Sequence, residues 1–188
     1  MTKVKNNALL KGISGKLGET HVYKKVRGKM YMVNMPETGK PISENRKAFI
    51  SKFSKAAAYA KAQMKDDDAK AMYQTGVTAK KHNPYIVAVS DSLTKPKVNE
   101  IKTTDYEGAV GDVITIDATD DFKVTRVRVI ILDSDGNKLE RGEAIQDHKN
   151  GHIWRYTATV ENPSVKGSTI SVTAFDTPDN ETTLETVL

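Results

Sequence analysis

Hydrophobic positions follow three different rules along this chain, and the changes of rule divide it. Over residues 1–42 no helical stripe is present. Gly12, Gly15, Gly18, Gly28 and Gly39 punctuate the segment, and the runs 21–26 and 29–34 read as two strands joined at Arg27-Gly28. This predicts an extended arm carrying one hairpin. A lone hairpin is marginal in water, so helix packing or an external surface must hold it. From residue 43 to residue 93 the period is helical. Ser43 stands as N-cap with Glu44 in the first turn. Phe49, Phe53, Ala56, Ala60 and Met64 then form one apolar face, with Ile50 and Ala57 beside them. Asp66, Asp67 and Asp68 interrupt that helix and cap a short one through Met72 and Tyr73, ended by Gly76. Asn83-Pro84 supplies an N-cap and N1 pair for a third helix over 84–93, with Ile86, Val89 and Leu93 on one face, although the apolar run 85–89 also fits a strand.

Residues 94–97, Thr-Lys-Pro-Lys, read as a linker, after which the period falls to two. Residues 98–103, 113–118, 124–132, 138–145, 153–160, 169–175 and 182–188 give seven short strands. Trp154, Tyr156, Ala158 and Val160 share one face, as do Ile170, Val172 and Ala174. Asp135-Gly136 and Asn150-Gly151 are hairpin turn signals. Short strands at this spacing predict an all-β sandwich over 98–188. The expected fold class is therefore α+β in two parts.

Charge sharpens the division. Residues 1–82 hold 18 Lys and Arg against 6 Asp and Glu, a net +12, whereas residues 83–188 hold 11 against 18, a net −7. Such asymmetry points to different partners for the two parts, the basic one facing an acidic surface. The absence of cysteine removes disulfides, thiolate metal sites and a cysteine nucleophile. Mean hydropathy is −0.52 and no run approaches the roughly 18 apolar residues of a membrane span. The first ten residues carry charge but no apolar h-region, so no Sec export is expected.

Candidate chemistry is sparse. Gly12 to Gly18 lacks a P-loop's first glycine, where Leu10 stands, and its final hydroxyl, where Leu17 stands. Asp133-Ser134-Asp135-Gly136 begins like a calcium loop, but Lys138 and Ala144 occupy the required Gly and Glu positions, so it reads as a polar turn. Asp120, Asp121, Asp176 and Asp179 are candidates for weak calcium binding between sandwich loops, a reading that their spacing alone does not support. His148 and His152 flank a hairpin turn with no third ligand. Asn180-Glu181-Thr182 fits a glycosylation acceptor. No catalytic constellation, cofactor site or metal site is predicted. The strongest signal is basic: Lys3, Lys5, Lys11, Lys16, Lys24, Lys25, Arg27 and Lys29, with Tyr23 and Tyr31 among them and only Glu19 opposing them in the first 35 residues. These are the predicted partner-binding residues.

Two stretches carry a resemblance. Residues 14–18 (Ser-Gly-Lys-Leu-Gly), the tyrosine-bearing hairpin, Pro36, Pro41, residues 43–47 (Ser-Glu-Asn-Arg-Lys) and Phe49 resemble the N-terminal segment of small proteins found in Bacteroidetes genomes and their phages. Residues 120–124 (Asp-Asp-Phe-Lys-Val), Asp135-Gly136, residues 140–144 (Glu-Arg-Gly-Glu-Ala), residues 154–158 (Trp-Arg-Tyr-Thr-Ala) and residues 174–176 (Ala-Phe-Asp) are similar to bacterial and phage Ig-like domains. Asp179 departs from that pattern, where such domains often carry Gly. The resemblance implies an Ig-like sandwich and a non-enzymatic virion protein, capsid-associated (auxiliary or decoration) or a neck component. Implied partners are other virion proteins, major capsid or portal and neck proteins. A DNA-binding basic arm is the alternative; no membrane or small-molecule substrate is expected.

Overall fold

The computed structural model describes residues 13–35 and 41–188, together with the backbone of residues 2–3. The described residues form a mixed α+β structure of three helices and three antiparallel sheets, and the chain divides into two compact units, residues 1–46 and 47–188. In the first unit, strands β3 (His21–Val26) and β4 (Lys29–Asn34) form the expected hairpin. Arg27 and Gly28 both take positive φ, 49° and 75°, as a two-residue type I′ turn requires. The hairpin is the centre of a larger sheet: β1 (Thr2–Lys3) pairs with β4, and β2 (Gly15–Leu17) pairs with β3.

Helix α1 (Glu44–Gln63) begins at the expected cap, with the Arg46 N–H 3.4 Å from Ser43 Oγ. Its apolar stripe is covered only in its C-terminal half. Ala56 and Ala60 are buried, while Phe49 and Phe53 are 64% and 46% exposed and stack on each other at 6.4 Å. Periodicity locates a stripe but not the length of it that finds a neighbour. The other helices keep their predicted ends. Asp66 Oδ1 accepts the N–H groups of Asp68 and Ala69 at the start of α2 (Asp67–Gln74), and Asn83 Oδ1 accepts that of Ile86 at the start of α3 (Pro84–Leu93).

The remaining strands form two four-stranded sheets around one core, as a β-sandwich does. One has the order β5 (Lys97–Lys102), β6 (Val113–Thr119), β10 (Ile153–Thr157), β9 (Ile145–Gln146). The other runs β12 (Glu181–Val187), β11 (Thr169–Asp176), β7 (Val124–Leu132), β8 (Lys138–Glu143). The predicted strand 138–145 is thus two strands in different sheets, with buried Ala144 at the crossing. Ile114, Ile116, Val127, Val129, Ile131, Trp154, Tyr156, Ile170 and Val172 meet in the core. Val160 does not share the face of Trp154, because β10 ends at Thr157 and Val160 is 42% exposed.

Residues 94–97, expected as a linker, lie inside the unit 47–188, which holds both helices and sandwich. Pro96 is fully buried, and Lys95 Nζ donates to the Glu181 carbonyl oxygen at 3.4 Å. The reason lies in the β6–β7 loop. Asp120 Oδ2 accepts the N–H groups of Phe122 (2.9 Å) and Lys123 (3.1 Å), and the turn so fixed places Phe122 in the helical cluster. Its ring lies 4.9 Å from that of Tyr73. A Cβ on Gly76 would come within 2.8 Å of both Phe122 and Val87, so the close approach requires glycine there.

Two outcomes follow from this packing. Trp154→Ala should cost about 3–5 kcal/mol in equilibrium unfolding, as large aromatic truncations do, whereas Val160→Ala should change stability by less than about 0.5 kcal/mol. Limited proteolysis should release a resistant fragment beginning near Lys47; a fragment beginning near Val98 that stays folded alone would contradict the single helix-and-sandwich unit.

Candidate functional site

Register sorts the predicted basic residues of the first unit. Side chains directly opposed in an antiparallel pair leave the sheet on the same face. Lys24 opposes Tyr31, Lys16 opposes Val22, Val22 opposes Val33, and Val26 opposes Lys29. Lys16, Lys24 and Lys29 therefore share one face with Tyr31, Val22 and Val33, and all three lysines are exposed. Lys25 opposes Met30 and lies on the other face, with Tyr23 and Met32. Arg27 sits in the turn. The backbone of Lys3 is paired opposite Tyr31; Lys5 and Lys11 lie outside the described residues. Among the described residues of this unit Tyr23 alone is buried.

The second constellation was not predicted as a set. Asp91, near the end of α3, Asp120, in the β6–β7 loop, and Asp176, at the end of β11, each bring a carboxylate oxygen within 4.8 Å of the others. Asp91 and Asp176 are buried and Asp120 is half-buried. A separate donor orients each one. The Tyr73 hydroxyl donates to Asp91 Oδ2 at 2.7 Å and is itself 2.8 Å from the Tyr59 hydroxyl. The backbone amides of Phe122 and Lys123 hold Asp120, as described above. Asn180 holds Asp176 twice, its N–H to Oδ1 (2.6 Å) and its Nδ2 to Oδ2 (2.7 Å). Burial pushes the Asp91 carboxyl up to about 7; the Tyr73 hydrogen bond opposes this, and the charges of Asp120 and Asp176 add to it. Burial likewise raises Asp176, with Asn180 opposing and Asp120 adding.

Of these three, the sequence pointed to Asp120 and Asp176 as weak calcium candidates together with Asp121 and Asp179, and it missed Asp91. The signal available was a lone carboxylate on an otherwise apolar helix, among Val87, Ala88 and Val89, which are also buried. Asp121 and Asp179 do not join the cluster. Asp121 pairs with Lys81 and accepts from the Ser90 hydroxyl at 2.7 Å. Asp179 makes the β11–β12 turn with φ 62°, a left-handed conformation that Asp tolerates better than most side chains. Asn180, the glycosylation candidate, has its amide engaged by Asp176 and by the carbonyl oxygens of Thr94 (3.3 Å) and Asp91 (3.5 Å).

No family model matches this chain, and no curated protein matches it. Among solved structures, CopC from Methylosinus trichosporium OB3b is similar to part of it, with 9% identity and a TM-score of 0.35 over 48% of this chain and 87% of that one. A likeness at that level carries no argument about fold or function.

Because the Asn180 amide serves a buried carboxylate and two backbone carbonyls together, Asn180→Ala should destabilise the chain by about 1.5–3 kcal/mol, read from urea unfolding. A change below about 0.5 kcal/mol would mean that these bonds do not hold the turn against the helix.

Proposed function

We propose that this chain is a non-enzymatic structural protein of a bacteriophage particle, capsid-associated or part of the neck. It docks through its basic N-terminal unit and presents an Ig-like sandwich. The observation that carries the reading is the character of the first unit: four strands, one buried side chain among the described residues, and Lys16, Lys24 and Lys29 on the one face that also carries Tyr31. A sheet that buries so little of its own surface gains stability against a second layer, and unbalanced cations select an acidic one. In the second unit the exposed Phe49–Phe53 pair, on a helix half that also carries Lys52 and Lys55, is a separate patch of mixed apolar and basic surface.

Strand order supports the Ig-like reading. Taken in chain order as A, B, C, C′, D, E, F and G, strands β5 to β12 fall into an A-B-E-D sheet and a G-F-C-C′ sheet, the partition of immunoglobulin-type sandwiches. Two departures stand beside it: there is no cysteine for an inter-sheet disulfide, and the buried tryptophan is on strand E rather than C.

The test is mass spectrometry of purified particles with wild-type and charge-reversed chains. Lys16→Glu, Lys24→Glu and Lys29→Glu together should lower the copies per particle about fivefold or more, at roughly 0.3–1 kcal/mol per surface charge contact. Lys25→Glu, on the other face, should leave incorporation near wild type. A wild-type chain absent from particles would overturn the proposal. Strongly salt-dependent DNA binding by that chain would then favour the nucleic-acid reading.

A further inference from the structure

Three carboxylates meet at the junction of α3 with the sandwich, and among the described residues no Lys or Arg pairs with any of them. Gathering that much negative charge away from water is costly unless a positive charge or protons accompany it. Asp91 is fully buried, its Oδ1 has no hydrogen-bond partner, and its carboxylate lies within 4.8 Å of those of Asp120 and Asp176. Asp120 Oδ1 is likewise buried and unpartnered, and so is Thr177 Oγ1, next to Asp176 at the start of the β11–β12 turn. The geometry points to a binding site for a hard divalent cation, calcium in preference to magnesium, ligated by Asp91, Asp120 and Asp176.

Three features carry the assignment. The donors are all oxygen, which selects a hard cation over zinc or copper. Tyr73, the amides of Phe122 and Lys123, and Asn180 each fix one carboxylate from behind, as outer hydrogen bonds orient metal ligands. In Asp91 and Asp120 the oxygen left over is the unpartnered one. Calcium is favoured over magnesium because it accepts an irregular set of protein oxygens, whereas magnesium gives up its water shell reluctantly. The three ligands come from a helix, a loop and a strand end, so the bound ion ties the helical cluster to the sandwich.

The experiment uses the full chain, freed of metal by a chelator and titrated with calcium chloride while heat uptake and thermal unfolding are followed. One calcium per chain should bind, Tm should rise with calcium concentration, and magnesium should bind about tenfold more weakly or worse. Terbium, a calcium probe, should show luminescence sensitised by Tyr73. Asp120→Asn should weaken calcium binding about tenfold or more while unfolding in chelator at the same Tm as wild type or a higher one, since it removes like-charge repulsion. Asp121→Asn, one residue on but paired with Lys81, should keep the calcium-induced rise. No calcium-dependent change in Tm or heat for the wild type would overturn the assignment, leaving the carboxyls to share protons. So would calcium binding by folded Asp120→Asn at wild-type affinity.

Discussion

The β6–β7 loop does two things with one turn, and the larger unit depends on both. Asp120 uses one oxygen to hold the amides of Phe122 and Lys123, which places the Phe122 ring against Tyr73 and Gly76. Its other oxygen is buried without a hydrogen-bond partner, and its carboxylate belongs to the cluster with Asp91 and Asp176. An aromatic contact and a charge cluster are therefore set side by side by the same four-residue segment. The first contributes apolar burial; the second stabilises the junction only when its charges are neutralised. Lys81 with Asp121 and Asn180 with the Thr94 carbonyl add polar bonds on either side. A helical cluster of this size gains a wall it could not build alone, and the sandwich gains a cover for one end.

The two units solve the problem of small size differently. Residues 47–188 hold two apolar clusters, one within the sandwich and one among the helices. Among the described residues of the first unit only Tyr23 is buried. The strand register of that unit places Lys16, Lys24 and Lys29 on one face and Met30, Met32 and Tyr23, with Lys25, on the other, a pattern suited to contact with another surface rather than to a closed core. That contrast, more than the net charge alone, underlies the proposed division into a docking part and a displayed part.

Much of the fold was legible in the sequence because it rests on local rules. Asn83-Pro84 and Asp66 mark helix starts through single hydrogen bonds, Arg27-Gly28 marks a turn through backbone φ, and the alternation around Trp154 and Ile170 marks an inward face. What was not legible depends on neighbours distant in the chain. Phe49 and Phe53 have the right spacing for a buried stripe, yet burial stops at Ala56. The run 138–145 keeps its strand character while changing sheets at Ala144, which no periodicity records. Asp91 is hidden for the same reason: its chemistry comes from Asp120 and Asp176, brought to it only by folding. The linker reading at 94–97 rested on composition and on the change of period, and neither reports that Pro96 is buried or that Phe122 packs among the helices.

The claim that helices and sandwich are one cooperative structure is tested most directly by equilibrium urea unfolding of residues 47–188, followed by helical ellipticity and by fluorescence of the single tryptophan, Trp154, in the sandwich core. The account predicts one transition, with the same midpoint and slope by both probes. Loss of helical signal at a lower urea concentration, with Trp154 still buried, would contradict it.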